Sequence, residues 1–215
     1  MKNKKSVPRV EFKYTFDNRD YNKVLQDIHR SELFFTKQYD DRKVNSIYFD
    51  TYNHQQLNRA IEGYYEKEKF RYRYYQELTP VVNGQWEVKK KLGIVTIKDV
   101  FQEEVQMNDM FNKIANYNIS SNEKVQFYLK KFSHLNSLVS YHRKYFVSSK
   151  YGVDLRLTID TGIKTSKYIN GSISREKPYN SNVVEIKISK ILYEDEKLNR
   201  ILSFPRVGFS KYSMA

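Results

Sequence analysis

The chain has 215 residues, 40% of them hydrophobic, with 13 Phe, 19 Tyr and a formal net charge of +13 at pH 7. That length suits one domain with an adequate core, and 7 Gly, 4 Pro and 29% charged residues exclude a long disordered region. The lack of cysteine excludes disulfides, thiolate metal sites and a Cys nucleophile and fits a cytoplasmic protein, while the positive balance calls for an anionic partner such as nucleic acid, an acidic membrane or a phosphate-rich ligand.

In chain order, "MKNKKSVP" (1–8) is a basic tail that leads into no apolar run, so no signal peptide is predicted, and residues 9–215 form a single domain. "RVEFKYTF" (9–16) alternates as a strand does, because successive side chains leave a strand on opposite faces. "DNRDYNKVLQDIHRS" (17–31) predicts a helix, with Asp17 as N-cap and Val24, Leu25 and Ile28 at helical spacing. "KVNSIYFDT" (43–51) is a strand, and "NHQQLNRAIEG" (53–63) a short helix capped by Asp50 and Thr51 and closed by Gly63. "EKFRYRYYQE" (68–77) is a strand, Asn83-Gly84 a hairpin turn, and "QWEVKKK" (85–91) and "DVFQEEVQM" (99–107) are further strands. Three- and four-residue spacings predict helices over roughly 108 to 139. Strands return at 142–149, 153–160 and 182–189, followed by a helix over 194–202. The class is α+β, with about eight largely antiparallel strands and inserted helices. No apolar run approaches the roughly 20 residues of a membrane helix, which leaves room for a membrane-protein partner.

The charged faces repeat from strand to strand: Arg9/Glu11/Lys13, Lys69/Arg71/Arg73, Glu87/Lys89/Lys91, Arg156/Thr158/Asp160 and Glu185/Lys187/Ser189. Opposite them lie Val10/Phe12/Tyr14, Phe70/Tyr72/Tyr74, Leu155/Leu157/Ile159 and Val184/Ile186/Ile188. Inserted helices need an apolar surface to cover. A barrel with its apolar face outward would supply one and would turn its cations inward, where a polyphosphate with water and a divalent metal would match them. The four histidines show no metal-ligand spacing, and no Walker A, G-x-G-x-x-G or G-x-S-x-G motif is present.

"RVEFKY", "VNSIYFDT", "KFRYRYY", "WEVKKK", Lys98, "YHRKYF", "DLRLTID", "VVEIKIS" and "FSKYSM" fall in the order of a known family. Together they resemble the VTC, or polyphosphate polymerase, domain of the triphosphate tunnel metalloenzyme superfamily, in its stand-alone bacterial-type form. The resemblance implies an eight-stranded antiparallel tunnel barrel with helices packed outside. Its implied activity is transfer of the ATP γ-phosphoryl group to a growing polyphosphate chain, with Mn²⁺ or Mg²⁺. By position, Arg71 and Arg73 match the family's phosphate-binding pair and Lys89 its E-x-K lysine. Lys98, Arg143, Arg156 and Lys211 match further tunnel cations. Glu185 matches the metal-binding Glu, with Glu11 as a second candidate. Lys13, Lys69 and Lys187 complete the phosphate-binding set. Phosphoryl transfer asks for positioning and charge neutralisation rather than a covalent nucleophile.

The first strand departs from the tunnel triphosphatases, which open E-x-E-x-K; here Arg9 replaces the first Glu, which favours the polymerase. The chain shows neither the SPX domain nor the membrane helices of the eukaryotic relatives, so inositol-phosphate sensing is not implied. Three other readings stay open: hydrolysis of a short triphosphate, polyphosphate binding without catalysis, and single-strand nucleic-acid binding. The last requires aromatics on the same face as the cations, whereas here they alternate.

Overall fold

The computed structural model describes residues 9–75, 77–93, 95–112, 119–169, 171–189 and 202–214. In chain order the elements are β1 (Arg9–Phe16), a 3-10 turn (Asn18–Asp20), α1 (Tyr21–Arg30), β2 (Phe35–Asp50), α2 (Gln55–Ile61), β3 (Glu66–Tyr74), β4 (Val81–Leu92) and β5 (Val95–Gln106). Then come α3 (Met107–Asn112), α4 (Glu123–Lys131), β6 (His134–Ser148), β7 (Gly152–Ile169), the two-residue β8 (Ser172–Ile173) and β9 (Lys177–Pro178), β10 (Asn182–Ser189), and a 3-10 turn at Tyr212–Met214. Eight strands form the path β1-β10-β7-β6-β2-β3-β4-β5, with β8 and β9 attached to β7. The α+β class and the eight long, largely antiparallel strands agree with the sequence. The path has two ends, β1 and β5, where the expected barrel would close. No described helix is long and apolar enough to cross a membrane.

Contacts divide the chain into two compact units: residues 1–42, 142–163 and 179–209, and residues 43–141, 164–178 and 210–215. In the first, one face of β1, β7 and β10 is apolar by the period of two. Tyr14, Phe16, Leu155, Leu157, Ile159, Val184, Ile186 and Ile188 are buried there with Val24 and Ile28, one turn apart on α1. In the second, Phe70, Tyr72 and Tyr74 of β3 join Ile47, Phe49, Val82, Trp86 and Val88 against Met110 of α3 and Val125 and Leu129 of α4, with Phe132 just beyond it. Trp86 is the centre of this core, stacked on Phe70 at 5.3 Å and packed on Tyr72 at 4.9 Å. Burying side chains of this size contributes about 1.5–3 kcal/mol each, so the aromatic face of β3 is fixed toward the helices and its cationic face away from them.

Helix ends follow their caps. Asn122 Oδ1 accepts from the backbone N–H of Lys124 and Val125 at the start of α4. Asp50 accepts from the N–H groups of Gln56 and Leu57, and Thr51 Oγ1 from that of Gln55, as predicted for α2. Gly63, with φ +78°, follows that helix. Asp17 makes no capping bond; its carboxylate pairs with Arg19.

Several boundaries differ from the sequence reading. Gly84 is no turn residue: it lies inside β4, paired with Tyr74 and Glu103. A Cβ there would sit 2.6 Å from the Arg73 carbonyl oxygen and 2.7 Å from Tyr72 Cζ, so glycine is required by close packing rather than by a turn. β2 begins at Phe35 rather than Lys43, and the added stretch escapes the sequence reading because Thr36–Arg42 is mostly exposed and lacks the apolar alternation that marks a strand. Strand β6 takes 134–139 from the expected helical region. Leu135 and Val139 are four apart, a spacing that lies on one face of either a helix or a strand. The helix expected over 194–202 lies, apart from Leu202, outside the described residues.

Candidate functional site

The cationic face of the second unit follows from strand register. Lys69 of β3 pairs with Lys89 of β4, which pairs with Lys98 of β5, placing three ammonium side chains in one cross-strand row. The next row holds Tyr48, Arg71, Glu87 and Val100, and the third Ser46, Arg73, Gln85 and Gln102. Over Lys69–Arg73, Gln85–Lys89 and Lys98–Gln102 this face carries five cations and one carboxylate, Glu87. Like charges directly opposite each other oppose pairing by roughly 0.2–1 kcal/mol, a penalty that an anion lying across the row would remove.

Glu87, with a side chain only 2% exposed, is the hub. Its Oε2 accepts from Arg71 Nε at 2.8 Å and Nη2 at 2.5 Å. Its Oε1 accepts from Lys98 Nζ at 2.9 Å and Gln85 Nε2 at 2.5 Å, with Arg73 Nη1 at 3.6 Å. Gln85 Oε1 in turn accepts from Gln102. Burial pushes the Glu87 carboxyl up, but Arg71, Arg73 and Lys98 outweigh it and hold the group far below the usual carboxylate range. Burial likewise pulls Arg71 down, and Glu87 together with Tyr48 and Tyr141 outweighs it, so the guanidinium is held charged. Lys98 is shifted down by burial and by Arg71 and Arg73, only partly offset by Glu87.

Tyrosines complete this face. Arg71 Nη1 donates to Tyr48 OH at 2.8 Å, and Arg73 Nη2 to Tyr141 OH at 3.4 Å. Lys211 Nζ lies 4.8 Å over the Tyr141 ring, and Lys69 Nζ donates to Ser210 Oγ at 2.8 Å. Ser210 and Lys211 are carried by a segment anchored through Tyr212. The buried Tyr212 hydroxyl donates to Asp50, accepts from Asn136 Nδ2 at 3.0 Å, and its ring packs on Tyr48 at 5.0 Å. The second unit therefore brings together Lys69, Arg71, Arg73, Lys89, Lys98 and Lys211.

The first unit holds the other expected residues: Glu11, Lys13, Arg143, Arg156, Glu185 and Lys187. On its charged face Glu11, Lys187 and Arg156 form one register row, and Lys13, Glu185 and Thr158 the next. Both signs are mixed here, with Lys187 set between the Glu11 carboxylate and the Arg156 cation. Lys187 Nζ lies 3.1 Å from Glu185 Oε1 and 3.9 Å from Glu11 Oε1, and Lys13 Nζ donates to the Phe209 carbonyl at 2.9 Å. Arg143 Nε and Nη2 fork onto the fully buried Asp160 at 2.5 and 2.7 Å. The Arg9 side chain lies outside the described residues.

No cluster of three metal-ligating carboxylate or imidazole groups occurs among the described residues. Two oxygen groups neighbour the Glu185 carboxylate in the sheet: the Thr158 hydroxyl, buried without a hydrogen-bond partner and in register with it, and Glu11, which approaches the same Lys187 ammonium. This set fits a hard divalent cation that takes one or two carboxylates and completes its shell with substrate oxygens, rather than an all-protein cage.

Glu87, Tyr48 and the Asp50–Tyr212 pair were missed as parts of the site by sequence reasoning. The parity of Glu87 with Lys89 was legible, but its approach to Arg71 depends on the register of β3 against β4.

No curated protein sequence matches this chain. A Vibrio parahaemolyticus structure provisionally assigned as an adenylate cyclase is similar at a TM-score of 0.48 and 12% identity, covering 91% of this chain and 83% of its own. The Schizosaccharomyces pombe Mediator head module is similar at a TM-score of 0.39 and 12% identity, covering 90% and 88%. Neither likeness bears on activity. The sequence itself matches a family over residues 8–215, and on that match the chain belongs to the VTC domain family, whose role is polyphosphate-related phosphoryl transfer.

Proposed function

We propose that this protein is a polyphosphate polymerase that transfers the γ-phosphoryl group of ATP to the end of a growing polyphosphate chain. The observation that carries this reading is the row Lys69–Lys89–Lys98 beside Arg71 and Arg73, five cations balanced by a single carboxylate. A triphosphate and an acceptor chain are both polyanions, so holding them in line requires this excess of positive charge. Arg71 and Arg73 would orient equatorial phosphate oxygens through their planar forks, and Lys69, Lys89, Lys98 and Lys211 would supply compact charge. In the first unit Lys13, Arg156 and Lys187 would contact phosphate, with Arg143 positioned by Asp160.

The terminal oxygen of the acceptor attacks Pγ, the bond from Pγ to the bridging oxygen breaks, and ADP leaves with the electron pair. Glu185, Glu11 and Thr158 would hold Mn²⁺ or Mg²⁺, which when bound neutralises phosphate charge as a Lewis acid. ATP as donor points to the cytoplasm. Single-strand nucleic-acid binding is disfavoured by the burial of Phe70, Tyr72 and Tyr74 beneath helices, where no base can stack on them.

Incubation with ATP and Mn²⁺ followed by gel separation tests the reading. Wild-type protein is expected to give a ladder of long chains. Arg71→Ala, which removes a donor to the developing charge, is expected to lower turnover by about a hundredfold or more. Free phosphate or tripolyphosphate with no ladder would replace the polymerase by a hydrolase.

A further inference from the structure

Glu87 occupies an unusual position for a carboxylate. It is buried in the middle of the cationic face and accepts from three side chains, Arg71, Lys98 and Gln85, with Arg73 Nη1 in ion-pair range at 3.6 Å. Each of its oxygens is satisfied by donors that a phosphate would otherwise claim. Arg71 has its Nε and Nη2 committed to Glu87 and its Nη1 to Tyr48. The fork best suited to phosphate is already holding an anion.

We propose that Glu87 is a built-in competitor for the phosphate chain: a positioning residue that keeps Arg71, Arg73 and Lys98 aimed into the face and holds polyanion affinity low enough for the chain to advance. The inference rests on the phosphate-binding reading of this face and adds the sign of one residue's contribution. A polymerase must shift its product by one phosphate after each transfer. With Arg71 and Lys98 released from the Glu87 carboxylate, the face would grip every intermediate position more tightly. One fixed carboxylate that re-pairs with Arg71 and Lys98 as each phosphate leaves lowers the depth of those positions.

A merely structural role and a competing role predict opposite changes in binding. Glu87→Gln keeps size and much of the hydrogen bonding and removes the charge. If Glu87 competes, the variant binds inorganic tripolyphosphate about tenfold or more tightly by titration calorimetry, and turnover falls while the KM for ATP also falls. Its thermal unfolding midpoint is lower than wild type without ligand and rises further than wild type on adding tripolyphosphate. Unchanged or weaker binding by folded Glu87→Gln overturns the proposal. If that variant folds only with tripolyphosphate present, Glu87→Asp decides in its place. If it does not fold at all, Glu87→Asp decides, since the shortened carboxylate withdraws from Arg71; tighter binding supports the proposal and unchanged or weaker binding overturns it. Wild-type protein that binds no tripolyphosphate removes the phosphate-binding reading and this inference together, whereas wild-type binding with the wrong sign in the variants removes this inference alone.

Discussion

Lys98 belongs to the cationic face, and its surroundings weaken its hold on a proton. Burial and the neighbouring Arg71 and Arg73 shift its pKa below the ordinary lysine range, and Glu87 only partly restores it. A phosphate beside Lys98 favours the protonated form, so binding draws a proton onto any Lys98 that has lost one. Tripolyphosphate affinity is therefore expected to show a fall as pH rises through the lowered pKa of Lys98, over and above the titration of the ligand itself. Lys98→Arg, charged throughout that range, is expected to flatten the fall; an identical pH profile would show that Lys98 does not report on the bound anion. Glu87 carries the opposite sign. Its folded-state pKa lies below its unfolded value, so its contribution to stability is complete above the usual carboxylate range and is lost only as pH falls far into the acid. At this scale the sequence was informative about direction: the alternation in "KFRYRYY" separated Lys69, Arg71 and Arg73 from Phe70, Tyr72 and Tyr74, and the structure buries the aromatics while the cations share the other face. Partnership was not legible, because which carboxylate faces Arg71 is a property of register.

Elements carry these residues into place, and two single changes test how. β4 passes so closely over β3 that Gly84 has no room for a Cβ; the nearest atom is backbone, the Arg73 carbonyl oxygen, which cannot swing aside. Gly84→Ala is expected to cost about 1–3 kcal/mol by overpacking, measured by urea unfolding, and to disturb the strand that bears Arg73. A change below a few tenths would mean that β3 and β4 separate easily. The segment bearing Ser210 and Lys211 depends on Tyr212, whose hydroxyl joins Asp50 to Asn136 in a buried network. Tyr212→Phe leaves Asn136 Nδ2 without that acceptor and is expected to cost about 1–3 kcal/mol. Element existence was read well from sequence wherever one face is apolar. It failed where that signal is absent, as in the polar first half of β2, and where a four-residue spacing suits both periods, as in Leu135 and Val139.

For the whole molecule, the net charge of +13 indicated an anionic partner without choosing among nucleic acid, membrane and polyphosphate. What narrows the choice is distribution. In one unit cations gather in a row with one carboxylate beside them; in the other, carboxylates and cations are mixed around Glu185 and the buried Thr158 hydroxyl. Family membership over residues 8–215 and the polyphosphate-related role that goes with it were legible from nine short stretches in order. Transfer as against hydrolysis was not, because both reactions need the same charges and differ in what attacks Pγ. The most direct measurement is the fate of that group: γ-labelled ATP with Mn²⁺ and purified protein, following ADP, free orthophosphate and label in acid-stable chains together. The polymerase account predicts ADP matched by label in long chains, with little free orthophosphate. ADP matched by free orthophosphate would contradict it and make water, not the chain end, the acceptor.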